Sequence, residues 1–378
     1  MIKYILTHPI QYQSPLIAYL SKKLKIHVLY RSNISTKKHF ESTFNKKIII
    51  SSNLLKDYKY SYLNKIGPNK VSLFYPITTD FIKNIFTNDT KIIWVHGIKY
   101  WYNIILIILS KLFRKKVFVR DEYNNLKKRS PLNLFLNRIF FFIIDKFVDV
   151  YLSIGSANTS AYLSNGVSKK KIFLVPYVVD NTYFKKKKIN RSKKINVIFS
   201  GKLISRKGCD LLLKSIAICN NYKNFKKDFK FTIVGDGVNI KKYIEYKKIN
   251  ELTNVKFVGF KNQNSIKKYY CKSKILILPS REENWGLVIN EAMSARNMII
   301  SSDIVGASKD LVRNNYNGYT FINGDYRDLA KKILKVYKKK NNIDRFCNNS
   351  FKLISSWTFK ECLIGLNKAI NYIHKKKI

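Results

Sequence analysis

Acidic residues are scarce: 23 Asp and Glu stand against 72 Lys and Arg in 378 residues, a formal charge of +49. Cysteine is rarer still. Cys209, Cys219, Cys271, Cys347 and Cys362 are odd in number, lie in the second half and form no CxxC pair, which excludes a disulfide framework and a structural zinc site. Apolar runs are short. Ile104–Leu109 and Ile139–Ile144 fall well below the roughly 20 residues of a membrane span, and the run in MIKYILTHPIQ is too short for a signal peptide. A cytoplasmic protein is expected, peripheral at the inner face of a membrane. The positive charge favours phosphate in any form, whether nucleic acid, nucleotide or anionic lipid. Its main origin is compositional, because Lys, Asn, Ile, Tyr and Phe are favoured together. The lysines are dispersed, with no basic arm, zinc finger or RNP-like aromatic signature, so nucleic acid is not an expected partner.

What is present is enough apolar material, 46%, for two buried cores in a chain too long for one ordinary domain. Short apolar runs alternate with longer helical patterns, the rhythm of a parallel α/β sheet. Ile2–Leu6, Ile92–Val95, Val117–Val119 and Val150–Ile154 read as buried strands of the first half. A helix follows Ser14-Pro15, with Pro15 pre-set for its first turn. The charged stretch Phe184–Lys194 reads as a linker. Strands resume at Ile195–Phe199, Phe229–Val234, Val255–Val258, Ile275–Leu278 and Met298–Ser301, and a last helix is expected over Phe359–His374. The expected organisation is α/β, two Rossmann-like domains facing a cleft. Residues 1–184 form the first and 195–358 the second, joined by a basic linker at 185–194, with 359–378 a terminal helix packing back on the first domain.

The chain has eight glutamates, yet Glu282, Glu283 and Glu291 fall together in LPSREENWGLVINEAMSA. A strand, a polar turn with Gly286 and an apolar-periodic helix from near Leu287 make a ligand site at the carboxyl end of a parallel sheet. Amides at such a helix start suit a phosphate. Carboxylates there would repel phosphate, so Glu283 and Glu291 make sense as acceptors from hydroxyls, which a sugar and a ribose flanking a diphosphate supply. The plainer reading, an acidic cluster complementing the helix dipole, suits Glu282 and Glu283 but not Glu291, which lies past the first turn. A second element, FSGKLISRKGCDLLLKSI, runs from a strand into Gly201-Lys202 and Lys207-Gly208 before a helix; its glycines allow a close approach and its lysines could neutralise a pyrophosphate. A third is the strand end Gly235-Asp236-Gly237.

Together these segments resemble the donor-binding domain of GT-B glycosyltransferases, in particular the large retaining group often called family 4 (glycosyl transferases group 1). The match is Glu283 and Glu291 around Trp285-Gly286-Leu287, then Gly201-Lys202-Leu203, Lys207-Gly208, the Gly-Asp-Gly turn and GASKDLVRNNYNGYTF, Gly306–Phe321. The resemblance implies that Lys202 and Lys207 hold the diphosphate, Glu283 meets sugar hydroxyls and Glu291 the ribose. Gly201, Gly235 and the Gly286, Leu287 and Val288 backbone would then approach the donor. Lys202 departs from the family's usual arginine, losing a two-pronged contact and keeping the charge. Arg296 and Met298 replace a usual Gly-x-Pro.

The first half matches more loosely. THPIQYQSPL resembles a variant opening that replaces the usual glycine pair, putting His8 and Gln11 on the acceptor side. His96, in WVHG, stands where many relatives place a histidine lining the catalytic cleft; the alternative is a strand-end histidine satisfied by backbone. Arg120 and Glu122 are candidates to meet the acceptor. The resemblance implies transfer from a nucleotide-diphosphate sugar to a hydroxyl of a glycan or lipid-linked acceptor, with retention, in bacterial surface polysaccharide or lipopolysaccharide synthesis. No cofactor or metal is expected, since the Asp-x-Asp that holds a metal in the other main glycosyltransferase fold is absent. Alternatives are a nucleotide-sugar epimerase of the same fold, a basic nucleic-acid-binding protein, and a catalytically inert sugar-binding relative.

Overall fold

The computed structural model describes residues 1–36, 39–41, 46–48, 54–66, 77–78, 80–185 and 194–375. Two compact units divide the chain. The first comprises Met1–Phe40, Lys47–Val179 and Phe359–Ile378; the second is chiefly Asp180–Thr358. Most of the expected linker, 186–193, lies outside the described residues.

Seven parallel strands build the first sheet: β1 Ile2–Leu6, β2 Ile26–Tyr30, β3 Lys59–Tyr62, β4 Ile92–His96, β5 Lys116–Arg120, β6 Val150–Ser153 and β7 Ile172–Leu174. Their order is β7-β6-β5-β4-β1-β2-β3, so the winding reverses between β1 and β4. Parallel strands need crossovers, and three of these are the helices α1 Gln13–Ser21, α2 Trp101–Leu112 and α3 Pro131–Ile144; α4 Ser156–Ser164 follows β6. The central strands are mostly apolar because helices cover both faces. Ile5, Ile93, Val95, Val117 and Val119 are all fully buried, and Trp94 stacks on Tyr4 with ring centroids 3.9 Å apart.

The second sheet has six parallel strands: β8 Ile195–Ser200, β9 Phe229–Val234, β10 Val255–Phe257, β11 Ile275–Leu278, β12 Met298–Ser302 and β13 Gly318–Phe321. They lie in the order β10-β9-β8-β11-β12-β13, the doubly wound 3-2-1-4-5-6 arrangement, which opens a crevice beyond the carboxyl ends of β8 and β11. The helices that matter below are α5 Asn181–Phe184, α6 Cys209–Cys219, α7 Ile240–Ile249, α8 Gln263–Lys272, α9 Leu287–Ser294 and α10 Gly306–Leu311.

The boundary falls after Val179, not after Phe184, because α5 is tied into the second unit. The Asn181 amide donates to the carbonyls of Ile354 and Trp357, both at 3.0 Å, and buried Phe184 packs edge-on against Tyr270. The last helix, α11 Phe359–Lys375, lies on β7, where Tyr372 meets Phe173 and the Cys362 thiol reaches the Pro176 carbonyl at 3.2 Å.

Trp94→Ala removes a fully buried, stacked ring from the centre of the first sheet. It should destabilise that unit by about 3–5 kcal/mol, read as an earlier denaturant transition for the first unit with that of the second unchanged.

Candidate functional site

The turns after β8, β9 and β11 meet backbone to backbone. Gly201 donates its N–H to Val234 O (3.0 Å), and Leu203 donates to Asp236 O (2.8 Å). A Cβ on Gly235 would lie 1.8 Å from Gly201 O, so no larger residue fits between β8 and β9 here. Lys207 closes a single 3-10 turn, and Gly208 follows in the left-handed region at φ 69°. A Cβ on Gly208 would stand 1.9 Å from Pro279 O, so the turn before α6 lies directly on the chain leaving β11.

That approach sets the side chains. The Arg281 guanidinium grips Asp210, at the start of α6, with two bonds of 2.8 and 2.6 Å, and reaches Ser205 O at 2.7 Å. A fork on a carboxylate fixes distance and angle together. With the two loops so clamped, Lys207 Nζ forms an ion pair with the Glu283 carboxylate, both side chains largely buried, and Ser280 Oγ donates to the same oxygen at 3.4 Å. Lysine carries three donor hydrogens and a carboxylate about four acceptor positions. The pair can therefore keep its contact while Lys207 offers N–H to a phosphate and Glu283 accepts from a hydroxyl. Lys202 is half-buried in the turn beside Gly201.

Gly286 packs against Glu283, its nearest neighbours being the Cγ of Glu283 and the side chains of Val305 and Leu278. Leu287 and Val288 then open α9, where amides have no carbonyl four residues earlier within the helix. The loop itself is held by Gly306 N–H to Glu283 O (3.2 Å), Ala307 N–H to Trp285 O (2.8 Å), and the Trp285 indole N–H to Asn290 (3.0 Å). One turn further along α9, Glu291 accepts from the Tyr270 hydroxyl of α8 at 2.8 Å. Burial among uncharged neighbours pushes its carboxyl up to about 7, the Tyr270 hydrogen bond pulling the other way.

In the first unit, the carboxyl ends of β1 and β4 bring a second group together. His96 ends β4. Its ring lies within 3.5 Å of the Tyr4 hydroxyl, 3.4 Å of the Gln13 amide and 3.3 Å of the Tyr177 hydroxyl. Burial, then the charges of Arg120 and His8, push it down to about 3. At neutral pH it is an uncharged imidazole, able to hydrogen-bond a hydroxyl but not to hold a spare proton. Glu122 accepts from Tyr177 (2.7 Å) and Tyr12 (3.1 Å). His8 and Gln11 lie half-buried in the turn between β1 and α1, His8 against the Thr7 hydroxyl at 3.1 Å.

Residues 180–353 match the family model described as glycosyl transferases group 1. This match spans nearly the whole of the second unit. Among curated relatives, an uncharacterized glycosyltransferase of Methanocaldococcus jannaschii is 27% identical over 171 residues, 45% of this chain and 46% of the relative. The Campylobacter jejuni GalNAc-alpha-(1->4)-GalNAc-alpha-(1->3)-diNAcBac-PP-undecaprenol alpha-1,4-N-acetyl-D-galactosaminyltransferase is 29% identical over 248 residues, 65% of this chain and 66% of that enzyme. The chain thus spans less than two thirds of the length of these curated relatives. Among solved structures, Anabaena HepE in complex with UDP superposes with a TM-score of 0.74 at 14% identity, covering 98% of this chain and 99% of that one. The lipopolysaccharide outer core galactosyltransferase WaaB gives 0.65 at 17% identity over 98% of each chain. The fold is GT-B.

The residues expected to contact the donor lie where β8, β9 and β11 end. Arg120 differs from expectation. It does not face outward toward an acceptor: it is buried, donates to the carbonyls of Val175 and Pro176 (2.9 and 3.0 Å) and lies over the Tyr177 ring. One guanidinium nitrogen is held there by the two backbone carbonyls, and the effect of Arg120 is to position Tyr177. The sequence reading missed Tyr270, the Asp210–Arg281 clamp, and Tyr4, Tyr12, Gln13 and Tyr177. Only the clamp left a trace, Asp210 following Gly208 and Arg281 preceding the glutamates.

Folded Glu291 releases its proton near 7, against an ordinary value of 4.5. Between those values the folded state holds the extra proton, so this group's contribution to stability is complete below the lower value and lost as pH rises through the upper one. Glu291→Gln should therefore gain in melting temperature relative to wild type on going from about pH 5 to about pH 8. A difference that stays constant across that range would show that the carboxyl is not raised.

Proposed function

We propose that the chain is a retaining, metal-independent glycosyltransferase that moves a sugar from a nucleotide-diphosphate sugar to a hydroxyl of a glycan or lipid-linked acceptor. The observation that carries this reading is the Lys207–Glu283 pair at the switch point between β8 and β11, with Glu291 one turn along the adjoining helix. It offers a cation for a diphosphate and two carboxylates for hydroxyls on either side of it.

In this reading the second unit holds the donor. Lys202, Lys207 and the first amides of α9 take up the negative charge that grows on the diphosphate as the bond to the anomeric carbon breaks. The acceptor oxygen bonds to that carbon on the same face, and its proton passes to the departing phosphate oxygen. No side chain need be the nucleophile. His96 and Glu122 of the first unit supply hydrogen bonds to the acceptor. HepE was crystallised with UDP and with UDP-glucose, and the Campylobacter relative is named for transfer onto a PP-undecaprenol-linked glycan. Both support a nucleotide-sugar donor and a lipid-linked acceptor in surface polysaccharide or lipopolysaccharide synthesis, at the cytoplasmic face of a membrane.

A thermal-shift series with UDP, GDP, ADP, dTDP and CMP tests the site. One nucleoside diphosphate should raise the melting temperature of wild type but not of Lys207→Ala or Glu291→Ala. No shift with any nucleotide, beside DNA binding that salt abolishes, would overturn the reading. With the donor identified, loss of a charge-assisted bond of roughly 1.5–3 kcal/mol in Lys207→Ala should lower kcat/KM by about tenfold to a hundredfold. Chelator should leave wild-type turnover unchanged.

A further inference from the structure

The helix α3 is apolar on the side that a surface helix ordinarily makes polar. Phe141 and Ile144 are its buried residues. On the opposite side Leu132, Phe135, Leu136, Ile139, Phe142 and Ile143 recur at helical spacing, each between 41% and 68% exposed. At about 100° per residue they form one stripe along the helix. Single exposed apolar side chains are ordinary, but six on one stripe mark a surface that meets something. The helix is well made, with Pro131 in its first turn and the Ser130 hydroxyl accepting from Asn133 N–H at 3.3 Å.

The charges around the stripe have one sign. Lys127 and Lys128 precede it, Arg138 flanks it and Lys146 follows, all exposed. The Lys146 ammonium lies 4.9 Å from the centroid of the Phe142 ring. Between Lys127 and Lys146 the acidic residue is Asp145, which is bound to Lys171 at 2.9 Å. The turn before α2 reaches α3 through Lys99 Nζ to Asn137 Oδ1 (2.9 Å), and α2 exposes Ile108 and Leu112 as well.

We propose that this face of α3 docks on an anionic lipid bilayer, the apolar stripe entering at the level of the acyl-chain boundary and the flanking lysines and arginine meeting head-group phosphates. An interfacial helix has this division, apolar on one face and basic at its margins. With 14 residues it is about 21 Å long, too short to span the hydrocarbon core, so it lies in the plane of the membrane. A second copy is a poor occupant, since pairing two such faces would bring their basic residues together with no acid to neutralise them. Docking does not rest on the transferase reading and can fail or stand without it.

The test is co-sedimentation of the full chain with phosphatidylcholine vesicles, with and without phosphatidylglycerol. The triple variant Phe135→Ser, Ile139→Ser, Phe142→Ser keeps every lysine and arginine, so it separates the stripe from the overall charge. Wild type should pellet with the anionic vesicles, and the variant should bind on the order of tenfold or more weakly at an unchanged melting temperature. Wild type that stays in solution, or a variant that binds as wild type does, would overturn the proposal. So would a concentration-dependent wild-type dimer that the variant converts to monomer, since that outcome gives the face to a second copy.

Discussion

The second unit depends on how closely two loops approach at Gly208. Its missing Cβ lets the turn ahead of α6 rest on the Pro279 carbonyl, and the contacts among Ser205, Lys207, Asp210, Arg281 and Glu283 follow from that distance. Arg281 can reach across to Asp210 and to Ser205 O only because the loops touch. Lys207 is then delivered to Glu283 without either side chain having to stretch. The order of strands makes the approach possible, since β8 and β11 are neighbours although two strands separate them in sequence. A parallel sheet collects all its carboxyl ends on one edge, and the glycines decide how tightly those ends close.

The scarcity of acid gives the two glutamates different characters. Several carboxylates have a cation: Asp149 has Lys111 and Lys116, Asp145 has Lys171, Asp210 has Arg281 and Glu283 has Lys207. Glu291 has a phenol instead. A cation would hold its carboxyl ionised, whereas burial beside a neutral donor raises it. Glu291 thus stays close to its titration point at neutral pH, where the arrival of a hydroxyl donor alters its protonation most.

Much of the fold was legible because buried parallel strands are written as bare apolar runs. β1, β4, β5, β6, β8, β9, β11 and β12 announce themselves this way. β2 hides a histidine in its run, and His27 is accommodated by Lys3 at 3.1 Å and Ser61 at 2.9 Å. β3 lies at a sheet edge and alternates tyrosine with polar residues, and β13 opens with glycine, so neither reads as a buried strand. The donor-side constellation was legible because its residues are close in sequence to glycines and to one another. The first-unit cluster was not. Tyr4, Gln13, His96, Glu122 and Tyr177 come from five separate places, the strands β1 and β4, the start of α1 and the turns after β5 and β7, and nothing local to any of them says that they meet. Arg120 was misjudged for the same reason: its partners, Val175 and Pro176, are backbone atoms far along the chain.

The chain enters and leaves the second unit at one place, where Asn181 holds the carbonyls of Ile354 and Trp357. The first unit is therefore interrupted, and its helix α11 is made only after the second unit. A ribosome moving along this message finishes the second unit while the first still lacks the helix that covers β7. Domains fold as units during synthesis, so the nascent chain carries one completed domain and one waiting for α11, whose buried Leu366, Ala369 and Ile373 complete the first core only afterwards.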